Sequence, residues 1–150
     1  AMENGDAYEG KWSNRLILAG RYYYNDGAYD RPRLIHCVDL RTGEEYWSKT
    51  FLDNRTISEG QLFYWESYNY QGTFAYLWVT TGGASFFGSS PEDWYAFDPL
   101  TGNWLYSMTG IPSGTNVYGP NGEIYRYNVN LQAGTISLWN SSRVPMAGLT

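Results

Sequence analysis

Two stretches of the chain share one pattern: residues 37–47 read CVDLRTGEEYW and residues 96–106 read AFDPLTGNWLY. In each stretch a small residue lies two positions before an aspartate, a Thr-Gly pair follows the aspartate, and an aromatic residue comes eight positions after it. A hydrophobic run, an Asp-x-x-Thr-Gly turn and a second aromatic run predict a strand, a tight turn and another strand. Hairpins that recur along a chain indicate a modular all-β architecture.

The composition also favours strands over helices. Aromatic residues make up 19% of the 150 residues and charged residues only 17%. This balance fits strands with aromatic faces better than helices with charged surfaces. No segment combines a 3.6-residue apolar period with helix caps, so we expect almost no helix. The length suits a single domain.

The charge balance excludes some classes of partner. Ten Lys and Arg against 15 Asp and Glu give a net charge of −5, so there is no basic field for nucleic acid. No apolar run reaches the roughly 20 residues that cross a bilayer, and we expect no membrane span in the chain. Residues 1–14 form a polar N-terminal segment, in which Ala1-Met2 is typical of a cloning scar. The compartment stays open, with an extracellular or cell-surface location favoured.

Turn signals divide residues 15–150, the expected domain, into about ten strands in three repeat units. The units cover about residues 15–58, 59–110 and 111–150. Residues 81–92, which contain Gly82-Gly83 and Pro91, are predicted to form the longest loop. Asn140 takes the place of the aspartate in a third, altered copy of the pattern. The predicted strands are residues 15–24, 33–40, 44–51, 61–68, 74–80, 94–97, 104–108, 115–118, 123–129 and 135–139.

The repeated pattern has a physical explanation. A small antiparallel sheet cannot hide both faces alone, so copies of it stack face to face. The small residue leaves room for a neighbouring ring, and the aromatic that ends the pattern is the natural ring to dock. The Asp and Thr side chains can bond the turn backbone, and the glycine supplies a positive φ. The residues of this structural repeat are Cys37, Asp39, Thr42, Gly43, Trp47, Ala96, Asp98, Thr101, Gly102 and Tyr106.

The pattern resembles the tryptophan-docking repeat of quinoprotein-like (PQQ-type) β-propellers, with Cys37 for the usual Ala and Tyr106 for the usual Trp. The sequences of residues 95–102 and 118–125 are similar to those of uncharacterised archaeal repeat proteins of this group. The resemblance covers most of residues 15–140. It implies β-propeller-like blades of antiparallel strands in about three repeats, either a partial propeller or half of an oligomeric one. Founding members of the group bind pyrroloquinoline quinone, but most proteins with the repeat bind none, and we expect no cofactor.

Few residues are candidates for catalysis or metal binding. Asp39 and Asp98 lie in the turn pattern, where capping explains them better than a catalytic pair. His36 has no second His or Cys at ligand spacing, and the acidic stretches at 25–30 and 92–93 lack the spacing of a calcium loop. By the resemblance, a quinone dehydrogenase would need a complete ring, calcium, a catalytic Asp and usually a vicinal cysteine pair, whereas this chain has one Cys. We therefore predict no catalytic, metal or cofactor residues and no enzyme activity.

We predict a non-catalytic binding or protein-interaction module that self-associates through open blades, because the outer sheets expose faces and edges. Its partners would be a second copy or the remainder of a longer propeller, with a protein or glycan as ligand. Three alternatives stay open: a fragment of a quinone-dependent or other propeller enzyme, a carbohydrate-binding module, and an excised or designed fragment. Aromatic runs supply the candidate binding surface, although packing between blades also explains them. Its residues are Tyr22, Tyr24, Trp65, Phe86 and Phe87.

Overall fold

The computed structural model describes residues 15–26, 33–52, 54–68, 70–85 and 88–143. Within these ranges the chain forms strands and a single 3-10 turn, which confirms the all-β class. None of the helical structure in these ranges is long and apolar enough to cross a membrane. The strands are β1 (Arg15–Leu18), β2 (Arg21–Asp26), β3 (Leu34–Asp39), β4 (Glu45–Lys49), β5 (Glu59–Ser67), β6 (Tyr70–Ser85), β7 (Gly88–Phe97), β8 (Trp104–Ile111), β9 (Thr115–Tyr118), β10 (Ile124–Asn130) and β11 (Thr135–Asn140), followed by the 3-10 turn Ser141–Arg143.

The strands form three antiparallel sheets in chain order. The first sheet has the order β1-β2-β3-β4, the second β5-β6-β7-β8 and the third β11-β10-β9. Each sheet is a meander, because every strand pairs with its sequence neighbour in antiparallel register. The prediction of three units built from antiparallel strands is confirmed.

Two turn predictions were wrong. The first predicted strand, residues 15–24, is two strands joined at Ala19-Gly20, where both residues have positive φ (50° and 76°). Such a two-residue turn matches the twist of a hairpin. The sequence did not indicate it, because alanine rarely adopts positive φ. The break expected between the strands 61–68 and 74–80, at residues 71–72, lies inside β6, which begins at Tyr70.

The loop predicted over residues 81–92 was also wrong, because β6 and β7 pair through most of it. Gly82 pairs with Glu92 and Gly83 pairs with Ser90, so Pro91 is the extra residue of a β-bulge. A proline at a bulge removes no hydrogen bond from the ladder. Gly82 has a φ of 82°, and a Cβ there would lie 2.5 Å from the carbonyl oxygen of Pro91. The two glycines and the proline therefore bend a long hairpin instead of ending it.

The second sheet is covered on both faces. Along β6, Ala75, Leu77 and Val79 pack toward the first sheet, whereas Tyr76 and Trp78 pack toward the third. This two-residue alternation with apolar side chains on both sides is typical of a strand buried on both faces. The three sheets therefore form a stack in the order first, second, third.

Two hydrophobic clusters hold the stack together. Burial of each large side chain in them contributes about 1.5–3 kcal/mol. At one edge β1 and β5 lie side by side, so close that a Cβ on Gly60 would be 2.5 Å from Cδ2 of Leu16. The cluster between the first and second sheets contains Leu18, Tyr23, Ile35, Cys37, Phe51, Ile57, Leu77, Val79 and Phe97. The cluster between the second and third sheets contains Trp78, Trp94, Ala96, Met108, Ile111 and Ile124.

Candidate functional site

The aspartate of the first signature turn caps the turn. Oδ1 of Asp39 accepts hydrogen bonds from the N–H groups of Arg41 and Thr42, both at 2.8 Å. The N–H of Gly43, which has a φ of 74°, donates to the carbonyl of Asp39 at 2.9 Å. The N–H groups of Thr42 and Arg41, together with the hydroxyl of Tyr46, lower the pKa of Asp39 to about 2. The carboxylate is therefore ionised at neutral pH, and it accepts hydrogen bonds from the backbone of its own turn.

The other two turns repeat this cap. Oδ1 of Asp98 accepts from the N–H of Leu100 at 2.8 Å, and its Oδ2 accepts from the hydroxyl of Thr101 at 2.9 Å. In the third copy, Oδ1 of Asn140 accepts from the N–H of Ser142 at 2.9 Å. The side chain thus bonds the N–H two residues on in all three turns, an Asx turn.

Trp47 of the first sheet docks on the signature turn of the second. Its Nε1 donates to the carbonyl of Pro99 at 3.1 Å. The indole lies so close to Gly102 that a Cβ there would be 3.1 Å from its Cε3 atom. On its own sheet Trp47 is opposite Cys37, which is fully buried. The ring is therefore held between the small residue of its own copy and the glycine of the next.

Further donors of the first sheet bind the same turn. Three consecutive carbonyls of the turn accept hydrogen bonds from side chains of β2 and β4, which fixes the position of the first sheet relative to the second. The bonds run from the Tyr23 hydroxyl to the carbonyl of Pro99 (3.0 Å), from Nη1 of Arg21 to that of Leu100 (3.2 Å) and from Nζ of Lys49 to that of Thr101 (2.8 Å).

The second and third sheets meet through a different contact. Tyr106 packs edge-on against Trp78 of its own sheet, with the ring centroids 5.8 Å apart, and burial raises the pKa of its hydroxyl. The link to the third sheet is Gln61, which is 3% exposed. Its Oε1 accepts from Nε1 of Trp78 at 2.9 Å, and its Nε2 donates to the carbonyl of Gly122 at 2.8 Å and to Oγ of Ser141 at 3.3 Å. A buried amide therefore joins these two sheets.

A buried ion pair crosses the same interface. Nη1 of Arg126 lies 2.8 Å from Oε2 of Glu92, and the two side chains are 6% and 15% exposed. Glu92 also accepts from Nε1 of Trp94 at 2.9 Å, and Nε of Arg126 donates to Oδ1 of Asn116 at 2.7 Å. The guanidinium carbon lies 5.0 Å from the centre of the Trp94 ring. Removing one member of the pair would cost about 3–5 kcal/mol, because the other charge would stay in the interface without its counter-ion.

The third sheet has an open apolar face at one end of the stack. Strand register places Tyr127 beside Leu138 and Val129 beside Ile136. Their side chains are 44%, 54%, 57% and 72% exposed, in that order. Val117, which is 44% exposed, lies on the same face. A contiguous patch of this kind is typical of a surface that binds a partner.

The opposite end of the stack is the outer face of the first sheet. Tyr22 stacks on Tyr24 with ring centroids 5.5 Å apart, and Tyr24 stacks on His36 at 4.8 Å. His36 lies 2.6 Å from Oε2 of Glu45 through Nδ1 and 3.3 Å from Oδ2 of Asp26 through Nε2. The Tyr24 ring is therefore engaged in two stacking contacts within its own sheet.

A cleft of about 380 Å³ opens between β5 and the turn that precedes β10. It combines aromatic rings with carboxylates, and it lies where the second and third sheets meet. Its lining residues are Phe63, Tyr64, Trp65, Glu66, Asn121, Glu123 and Ser142.

The structure separates the predicted binding-surface residues. Tyr22 and Tyr24 lie on the outer face of the first sheet, whereas Trp65 lines the cleft. Phe86 and Phe87 lie outside the described residues. Sequence reasoning identified the turn Asn121-Gly122 but missed the cleft beside it, because the rings and the turn are far apart in the chain.

In the ranges that the structure describes, no three His, Cys, Asp or Glu side chains are grouped so that they could hold a metal ion. The chain matches no protein-family model, no curated protein and no solved structure.

Proposed function

We propose that this chain is a non-catalytic interaction module that self-associates, with the open face of the third sheet packed on the outer face of the first sheet of a second copy. The observation that carries the proposal is the exposed apolar face of Val117, Tyr127, Val129, Ile136 and Leu138. Inside the chain, sheet faces of this kind are covered by the next sheet.

The occupant is a second copy because the chain already stacks one sheet face on the next twice, between the first and second sheets and between the second and third. The first sheet contributes its aromatic residue to the turn of the sheet that follows, and its own turn at Asp39 faces no preceding sheet among the described residues. Two copies joined third sheet to first at both ends would form six sheets, within the range of about four to eight for a closed propeller. A two-fold axis would relate the two contacts.

A non-catalytic role is supported by the use of the two signature carboxylates. Asp39 and Asp98 both accept hydrogen bonds from their own turns, so capping accounts for them. The resemblance to quinoprotein-like propellers supports the stacking of sheets as the organising principle.

Sedimentation equilibrium of the wild-type chain tests the proposal. We expect a species of twice the 17.2 kDa of one chain, and a single-chain mass for Ile136→Lys, because a lysine would place a charge in the apolar contact. Leu105→Lys is the matched control, since Leu105 is 43% exposed on β8 and lies outside both end faces. This variant should keep the mass of two chains. A wild-type mass of 17.2 kDa at all concentrations would rule the proposal out.

A second variant tests which faces meet. Tyr22→Glu, on the outer face of the first sheet, should weaken the dimer as Ile136→Lys does, because the contact joins two different faces. If Ile136→Lys abolishes the dimer and Tyr22→Glu does not, the contact would instead join the third sheets of the two copies. Circular dichroism of both variants checks that the fold is retained.

A further inference from the structure

The floor of the cleft is the turn before β10, which is fixed to β5. The N–H of Tyr64 donates to the carbonyl of Asn121 at 2.8 Å. Gly122, at a φ of 83°, lies against the backbone of Leu62 and Phe63 with no space for a Cβ. These contacts within the chain hold the turn and the strand together and fix the shape of the cleft.

One wall of the cleft carries a nearly buried carboxylate. Glu123 is 7% exposed; its Oε2 accepts from the N–H of Asn121 at 2.9 Å and its Oε1 from the hydroxyl of Tyr125 at 2.7 Å. Burial by itself raises the pKa of Glu123, but the hydrogen bonds from Tyr125 and from backbone N–H groups outweigh it and hold the pKa below its ordinary value. A carboxylate has about four acceptor positions, so these bonds leave capacity for a ligand.

The facing wall is aromatic. Phe63 and Trp65 lie on the same side of β5 with ring centroids 6.1 Å apart. In the strand register Trp65 is opposite Gly72, which has no side chain to cover the indole. An indole and a carboxylate thus border one space.

The charge of the lining selects the ligand. Glu66, which is exposed, adds a second negative charge to the lining, and within the part of the chain that the structure describes no Lys or Arg is among the lining residues. The hydrogen bond to Glu123 raises the pKa of Tyr125, and the charge of Arg143 offsets part of that rise, which places Arg143 near this wall although it lies outside the lining. Rings beside carboxylates attract an organic cation through charge and through the face of the ring.

We propose that this cleft binds an organic cation, an ammonium or guanidinium group on an alkyl chain, with Trp65 against the chain, Glu123 against the charge, and Glu66 adding negative charge to the surroundings. The site goes beyond the self-association proposed above and does not depend on it, because its lining residues differ from the five residues of the exposed apolar face.

Titration of the full chain with an end-blocked tetralysine peptide tests the proposal, with amide chemical shifts as the readout. We expect shifts centred on residues 119–123 and 63–66, and binding that weakens as salt is added. The same peptide with every lysine acetylated should cause no shift there. Spermine is the second probe: binding as tight as that of tetralysine would identify a free polyamine as the source of the cation, and weaker binding would identify a basic polypeptide.

Variants separate the cleft from the general attraction of an acidic protein. Glu66→Gln should weaken tetralysine binding about threefold and Glu123→Gln about tenfold, whereas Arg143→Gln should strengthen it. Glu66→Gln is expected to keep the fold, because the side chain of Glu66 is exposed. It therefore tests the proposal even if Glu123→Gln disturbs the turn. Glu44→Gln, an exposed glutamate in the first sheet's turn, should leave binding unchanged.

Three results would overturn the proposal. The first is a loss of affinity in Glu44→Gln as large as that in Glu66→Gln, which would mean non-specific attraction. The second is equal binding of the acetylated peptide. The third is a neutral tetrasaccharide that shifts the same residues more strongly than tetralysine, which would assign the cleft to carbohydrate.

Discussion

At the residue scale, the contact between Trp47 and Gly102 explains why the signature needs its glycine. Gly43 and Gly102 occupy the same position in two copies, with φ of 74° and 68°. Nothing lies within 4 Å of a Cβ built on Gly43, whereas one on Gly102 would meet Cδ of Lys49 and Cε3 of Trp47, each at 3.1 Å. The two glycines therefore share a backbone requirement but differ in packing.

This difference gives a matched pair of substitutions. Gly43→Ala should lower the free energy of unfolding by about 1 kcal/mol through the left-handed backbone alone. Gly102→Ala should lower it by about 3 kcal/mol, because overpacking against the indole of Trp47 and the side chain of Lys49 adds to that cost. Urea unfolding of both variants measures the difference. Equal losses would show that the ring does not press on the second turn.

A second prediction at this scale concerns acid stability. Because the turn lowers the pKa of Asp39 from 3.8 to about 2, its hydrogen bonds stabilise the fold above about pH 4 and are lost as the pH falls toward 2. Asp39→Asn removes this titration. The difference in unfolding free energy between wild type and Asp39→Asn should therefore be larger at pH 6 than at pH 2. A difference that grows on acidification would contradict the sign.

At the element scale, strands differ in how well they are covered. β6 is packed on both faces, and Leu77, Trp78 and Val79 on it are at most 1% exposed. β11 ends the third sheet in the described structure, and most of its residues are exposed. Local opening should therefore be easier in β11 than in β6.

Hydrogen exchange measures this directly. We expect amides of β6 to exchange at least about tenfold more slowly than those of β11. Ile136→Lys, expected to be a single chain, provides the comparison in which no second copy protects the third sheet. Protection of β11 equal to that of β6 in this variant would contradict the fold.

Most elements could be predicted from the sequence, because alternation and turn residues are local signals. The two Asp-x-x-Thr-Gly turns were located correctly, since the aspartates bond their own backbone, and Asn121-Gly122 was located because its glycine takes the positive φ of the turn. Ala19-Gly20 and the bulge at Pro91 were misread because their backbone is decided by the paired strand. The cleft could not be predicted at all, since Trp65 and Glu123 meet only when the second and third sheets are stacked.

At the scale of the whole molecule, polar groups as well as rings hold the stack in one arrangement. Gln61 and the pair of Arg126 with Glu92 must meet their partners when the second and third sheets pack, because unpaired buried groups are costly. Any sliding of the third sheet would leave these groups without partners. The apolar clusters drive the packing, and the buried polar groups select its register.

The docking of Trp47 on the following turn also gives the stack a polarity, with a head that donates a ring and a tail that receives one. Head-to-tail contacts either close into a ring or continue without limit, and the rotation between successive sheets decides between the two. If each sheet turns by one sixth of a circle, two copies close and growth stops. A substitution that flattens this rotation would convert the same surfaces into the repeating contact of a filament.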